Sequence, residues 1–195
     1  MAYFTRIFLL AALILGSTVH ARAQAPAPPP EFSCGPNPII TDLLSRTSQA
    51  AWSTWIEQLS GERPVSVAGQ ITRLTIRHSQ TFTRPDSAFH FVLEQLRAWS
   101  ADAGQITVQP FTIASLPNDY ETRNLVVDFP GQSRPQEVVI LAAHLDSLST
   151  TVTDPSPGAD DNATGVATLL EAARLIRHYN FERTLRIIFF SGEEQ

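Results

Sequence analysis

An unbroken apolar run at residues 138–143 and an apolar strand pattern at 185–190, interrupted by Arg186, flank an amphipathic stretch at 163–179, and this order constrains the chain more than any other feature. A strand covered on both faces reads as a continuous apolar run rather than an alternating one. In the stretch between, Val166, Leu169, Leu170, Ala173 and Ile176 recur at helical spacing, and Asn180 closes it. Strand, helix, strand is a βαβ unit, whose crossover is almost always right-handed. The pattern therefore predicts an α/β fold with a mainly parallel central sheet flanked by helices.

The upstream chain is less regular. Residues 39–59 carry apolar positions at Leu43, Leu44, Ala51, Trp52, Trp55, Ile56 and Leu59 and predict a helix, ended by Gly61 and Pro64. Ile71, Leu74 and Ile76 give a weak strand signal. Residues 86–101 predict a second amphipathic helix through Phe89, Val92, Leu93, Leu96 and Trp99, stopped by Gly104. Residues 106–113 and 124–129 predict strands joined by a polar loop containing Pro117, Asn118 and Asp119.

Ligands of open α/β sheets bind at the carboxyl ends of the strands. Three polar clusters fall there. His144-Leu145-Asp146-Ser147 follows the first apolar run, Ser191-Gly192-Glu193-Glu194 follows the second, and Asp160-Asp161 opens the helix between them. Hydrophobic pattern and chain order alone thus bring a histidine and several carboxylates to one sheet edge. His144 offers an imidazole nitrogen to a metal. Asp146, two residues on, lies on the same side of a continuing strand and can hold the other ring nitrogen, which fixes tautomer and orientation. Asp161 has two oxygens and can hold a metal with each; paired metals sit about 3.5–4 Å apart. Glu193 and Glu194 point in different directions from an extended backbone, so that one can ligate while the other handles a proton. Histidine and carboxylate ligands suit zinc.

Each cluster also has a plain reading. A His-x-Asp pair is commonly a hydrogen bond at a strand end, Asp-Asp-Asn before a helix is commonly a cap, and Glu-Glu after a strand is commonly a solvated turn. Their coincidence at one edge favours a site. His78, His90 and His178 lack such company in the sequence, and His178, near a helix C-terminus, reads as structural.

Composition narrows the class further. The 195 residues are 43% apolar, which suffices for a domain with a sizeable core, and the net charge is −5. All fourteen basic residues are Arg, and none of them forms the basic run expected of a nucleic-acid binder. Residues 1–24 read as a secretory signal peptide, with Arg6, a short apolar stretch at 7–19 and small residues around Ala21-Arg22-Ala23. This predicts a secreted or periplasmic protein with no membrane association after cleavage. Residues 25–38 form a Pro-rich linker, and residues 39–195 are the domain proper. Cys34 is the sole cysteine, so it makes no disulfide within these residues.

Ala143-His144-Leu145-Asp146-Ser147, Gly158-Ala159-Asp160-Asp161-Asn162-Ala163-Thr164-Gly165 and Phe189-Phe190-Ser191-Gly192-Glu193-Glu194-Gln195 together resemble the motifs of the co-catalytic di-zinc exopeptidases. That family includes secreted bacterial leucine aminopeptidases and relatives of glutamate carboxypeptidase. The resemblance implies two zinc ions, with His144 and Glu194 on one each, Asp161 bridging them, Glu193 as general base and Asp146 orienting His144. It implies a cis peptide between Asp161 and Asn162, and a metallo-aminopeptidase acting on peptide or protein N-termini. A carboxypeptidase or amidohydrolase of the same fold shares these ligands, and a non-catalytic interaction domain on the same fold is the alternative from another class. Glutaminyl cyclase-like chemistry ranks below these, because a single-zinc site does not require the Asp-Asp-Asn arrangement. The family's remaining Asp and His ligands lie downstream of its Glu-Glu motif. The resemblance therefore makes residues 39–195 the N-terminal part of a zinc-peptidase domain, with two of three protein ligands for each zinc and little activity by itself.

Overall fold

Asn37 opens the first helix. Its side-chain oxygen accepts the Ile39 N–H at 2.9 Å, and Pro38 occupies the first helical position, where no donor is needed. The computed structural model describes residues 35–100 and 105–195. The signal peptide, most of the linker, Cys34 and the Gly104 helix stop fall outside the described residues. Helix α1 spans Pro38–Arg46 and α2 spans Gln49–Leu59. One helix was expected over 39–59, but Thr47 and Ser48 are extended and divide it. Ser48 caps α2 by accepting the Ala51 N–H at 3.1 Å, and its own N–H donates to Glu171 at 2.7 Å. A local cap and a distant carboxylate thus outcompete helical continuity, as Ser side chains commonly do.

A small antiparallel hairpin follows, β1 (Val65–Val67) with β2 (Gln70–Thr72). It holds Ile71 of the weak strand signal, whereas Leu74 and Ile76 lie beyond it. A 3₁₀ turn at Ser79–Thr83 leads to α3 (Ala88–Ser100). The central sheet is built from β3 (Gln105–Ile113), β4 (Tyr120–Phe129), β5 (Arg134–His144) and β6 (Arg183–Phe190), in the order β3-β4-β6-β5. Helix α4 (Thr164–Ile176) is the crossover between β5 and β6, which pair in parallel.

The α/β class and the helix-flanked central sheet hold. The sheet is mixed, however, rather than mainly parallel over the described strands: β3–β4 and β4–β6 are antiparallel, and β5–β6 alone is parallel. The cause is connection length. The short loop between β3 and β4 permits only an antiparallel pair, while the helical crossover permits the parallel one. The 138–143 run also departs from expectation. Among the described strands it lies in β5, at the edge, with Ile140 55% exposed, instead of being buried on both faces. Apolar pattern records hydrophobicity on both faces but not pairing order, and β6 takes the central place.

Leu125, Val127, Ile187 and Phe189 share one face of the sheet and pack with Leu59, Phe89, Val92, Leu96, Val166 and Leu170 from α2, α3 and α4. This core fixes the end of β6 against the start of α4. Beside it, Glu171 on α4 is buried and accepts from Arg174, whose Nε lies at 2.7 Å and Nη2 at 2.6 Å, as well as from Ser48. Burial pushes its carboxyl up, but the Arg174 and Ser48 hydrogen bonds and the Arg174 charge outweigh this and hold it below the usual carboxylate value. A depressed folded value stabilises the fold above the unfolded value of about 4.3, and the contribution fades as pH falls through the lowered folded value. Glu171→Gln is expected to destabilise the domain by about 1–3 kcal/mol at pH 7. The gap between the two urea-unfolding curves should close on acidification; a gap that is constant down to pH 3 would contradict the assignment.

Candidate metal centre

The β5–β6 ladder runs to His144 opposite Phe190, and the Leu145 N–H extends it by donating to the Phe190 carbonyl at 2.7 Å. Both strands therefore end together, and the residues after them leave the sheet at one place. Asp146 turns inward and is fully buried. Its Oδ2 accepts the Glu194 N–H at 3.1 Å, while its Oδ1 has no hydrogen-bond partner and lies 3.8 Å from His144 Nδ1. His144 Nδ1 is 3.2 Å from the Asp146 carbonyl, so this edge of the ring faces residue 146 by main chain and side chain alike. Nε2 points the other way and lies 3.0 Å from Asp161 Oδ1.

Asp161 stands in a bent turn, Ala159–Ala163, ahead of α4. The Asp161–Asn162 peptide is cis, as the motif resemblance implies. Asn162 Oδ1 accepts the Gly165 N–H at 2.9 Å and so begins the helix. A Cβ at residue 165 would sit 2.3 Å from that oxygen, which explains glycine in this motif. The Asp161 side chain is 75% exposed and reaches out to His144 instead of capping the helix. Asp160 remains exposed, its carbonyl accepting from Thr164 Oγ1 at 2.8 Å.

The end of β6 is anchored by a residue that the motifs did not disclose. Asn124 Oδ1 accepts the Ser191 N–H at 2.9 Å, and Ser191 Oγ donates to the Arg123 carbonyl at 2.6 Å. Gly192 then turns the chain at φ +85°. The extended backbone expected at 193–194 is therefore absent, and the two glutamates do not diverge. His144, Glu193 and Glu194 each bring a ligand atom within 4.8 Å of the others. Burial, with the charges of Asp161, Glu193 and Asp146, pushes the Glu194 carboxyl above its usual value, against the pull of His144.

His78 is closer to this cluster than the sequence suggested. It is buried, with its ring 5.9 Å from that of Tyr120, and burial lowers its pKa against the opposing pull of Asp146. Tyr120 in turn donates to the Gln195 side chain at 3.1 Å.

His144, Glu193 and Glu194 thus converge at the strand ends, with Asp161 against the His144 ring and the buried Asp146 behind them. Imidazole and carboxylate donors of this kind suit zinc. The Asp146 oxygen without a hydrogen-bond partner, and the Glu194 carboxyl pushed up first by burial and then by neighbouring carboxylates, fit a cluster whose charge a cation would balance.

Over part of its length the chain is similar to zinc metallopeptidases. Residues 124–195 match the model of Peptidase family M28. A probable leucine aminopeptidase of Arthroderma otae is 29% identical over 147 residues, which cover 71% of this chain and 38% of that protein. A probable zinc metalloprotease of Pyricularia oryzae is 28% identical over 193 residues, covering 92% of this chain and 38% of that protein. The chain thus spans well under half the length of these relatives. Among solved structures, LapB from Legionella pneumophila superposes with a TM-score of 0.62 at 18% identity, over 85% of this chain and 40% of that one. A glutaminyl cyclase from Macrostomum lignano gives 0.57 at 19% identity, over 82% and 43%. At these identities the superpositions speak for the fold alone.

Proposed function

We propose that the whole protein is a secreted or periplasmic aminopeptidase that uses two zinc ions to hydrolyse N-terminal peptide bonds. The observation that carries this reading is the convergence of His144, Asp161, Glu193 and Glu194 at the paired ends of β5 and β6. His144, Asp161 and Glu194 would hold the metal, and the two carboxylate oxygens of Asp161 would let it serve both ions. Bound zinc supplies a Lewis acid for the scissile carbonyl and lowers the pKa of water. Glu193, exposed and beside His144, takes the proton of the attacking water and returns it to the leaving amine. Asp146 keeps Nδ1 of His144 occupied, which would leave Nε2 for the metal. The probable leucine aminopeptidase among the relatives favours N-terminal over C-terminal cleavage.

The test uses the product of the entire reading frame. It is expected to release the first residue from unblocked peptides and to leave N-acetylated peptides intact. Chelation should abolish this release, and added zinc should restore it. Release from the C-terminus instead would assign the fold-sharing carboxypeptidase activity. Conversion of N-terminal glutamine to a cyclic product, with no hydrolysis, would overturn the peptidase reading.

A further inference from the structure

Arg77 is the largest fully buried side chain outside the metal cluster, and the mechanism above gives it no task. A buried guanidinium is costly unless its donors are met. Here four of the five N–H groups are met, all by main-chain carbonyls. Nε donates to Leu145 at 3.0 Å, Nη1 to Leu59 at 2.9 Å and also to Pro157, and Nη2 to Gly158 at 2.9 Å. Leu145 lies between His144 and Asp146, and Gly158 lies three residues before Asp161. The main chain of the same residue repeats the link. The Arg77 N–H donates to Ser156 Oγ at 3.0 Å, and its carbonyl accepts the Ser147 N–H at 3.1 Å. Ser147 Oγ then closes the loop on the Ser156 carbonyl at 2.7 Å.

We infer that Arg77 is a positioning residue that clamps the His144–Asp146 strand end to the segment leading into Asp161, and so sets the separation of the metal ligands before an ion arrives. Three features support this. The planar fork reaches carbonyls of three separate chain segments at once, which a flexible ammonium does not reproduce. Gly158 is at φ +45°, and a Cβ there would fall 2.7 Å from Arg77 Nη2 and 2.3 Å from the Asp161 carbonyl, so the loop is fitted closely around the guanidinium. The carboxylates whose fields reach Arg77 are Asp146, Asp161 and Glu194, which places a fixed positive charge behind the cluster. Burial lowers the Arg77 pKa to about 10 against those carboxylates, leaving the side chain charged at neutral pH.

The inference rests on the metal reading, and the test separates the two. The product of the entire reading frame is compared with its Arg77→Lys variant, which keeps the charge but loses the fork, and with Leu170→Ala, which weakens the core without touching the clamp. Zinc affinity is measured by chelator competition, cobalt is bound as a spectroscopic probe, and amide exchange is followed in the metal-free proteins. Arg77→Lys is expected to lower zinc affinity by about 10–100-fold, the usual effect of losing a ligand-orienting partner, and to shift the cobalt absorption bands. It should also speed exchange in residues 145–147 and 158–163. Leu170→Ala should lower the melting temperature while leaving zinc affinity and the cobalt bands unchanged. Equal zinc affinity and equal loop exchange in wild type and Arg77→Lys would overturn the clamp. So would a comparable loss of affinity in Leu170→Ala, because positioning would then be indistinguishable from general stability. If the unsubstituted whole protein binds neither zinc nor cobalt, the metal reading fails on its own, and the exchange comparison decides the clamp.

Discussion

Replacing Glu193 with Gln in the whole protein is expected to lower turnover by at least about 10²–10⁴-fold, the usual worth of a positioned proton carrier, while zinc content stays near that of the wild type. The amide is close in shape to the carboxylate but neither accepts nor returns a proton at neutral pH. Glu193 differs from Glu194 in its surroundings. Glu194 is partly buried, its main-chain N–H is held by Asp146, and its carboxyl is pushed up by burial and by Asp161, as suits a group that an ion must neutralise. Glu193 is exposed and free to meet a substrate. Yet both bring an oxygen close to His144, so the two roles could be exchanged. The paired variants decide this. If Glu194→Gln keeps zinc and loses turnover, while Glu193→Gln loses zinc, then the order proposed here is reversed.

The parts of the fold legible in the sequence were those set by local periodicity. The β5–α4–β6 unit, the α3 helix and the β3–β4 pair all stand where the apolar spacing put them, because burial of one stripe or one run is a local property of the chain. The strand-end convergence was legible for the same reason: chain order within a βαβ unit fixes which loops share an edge. What failed depends on distant partners. The break at Ser48 needs Glu171, more than a hundred residues away, and the edge position of β5 is a matter of pairing order. The turn at Gly192, which brings Glu193 and Glu194 together, is a single residue with positive φ inside a motif that otherwise reads as extended. Asn124 and Arg77 were missed because a lone Asn in a strand and a lone Arg in an irregular stretch carry no pattern. Only the carbonyls and amides that they meet reveal their use.

Asp161→Ala should separate metal binding from stability more cleanly than any other single change. The carboxylate is largely exposed and, apart from its contact with His144 Nε2, takes no part in holding the turn. The turn itself is secured by Asn162 on Gly165, by Thr164 on the Asp160 carbonyl and by the Ala163 N–H on Gly158, none of which uses the Asp161 side chain. The melting temperature of the metal-free protein should therefore move no more than for an ordinary surface substitution. Zinc binding should fall by more than the roughly 10–100-fold that follows loss of an outer-shell partner, because the group removed is placed to touch the ion itself. If Asp161 serves two ions, stoichiometry should fall along with affinity, because neither site keeps its shared oxygen donor. Metal analysis after dialysis against a weak chelator reads both quantities, and a variant that holds zinc at wild-type stoichiometry and affinity would remove Asp161 from the site. The sharper discrimination lies in the comparison with His144→Ala. That change deletes the nitrogen donor facing Asp161 but leaves the carboxylate in place, so under the two-ion reading it should cost one ion where Asp161→Ala costs both.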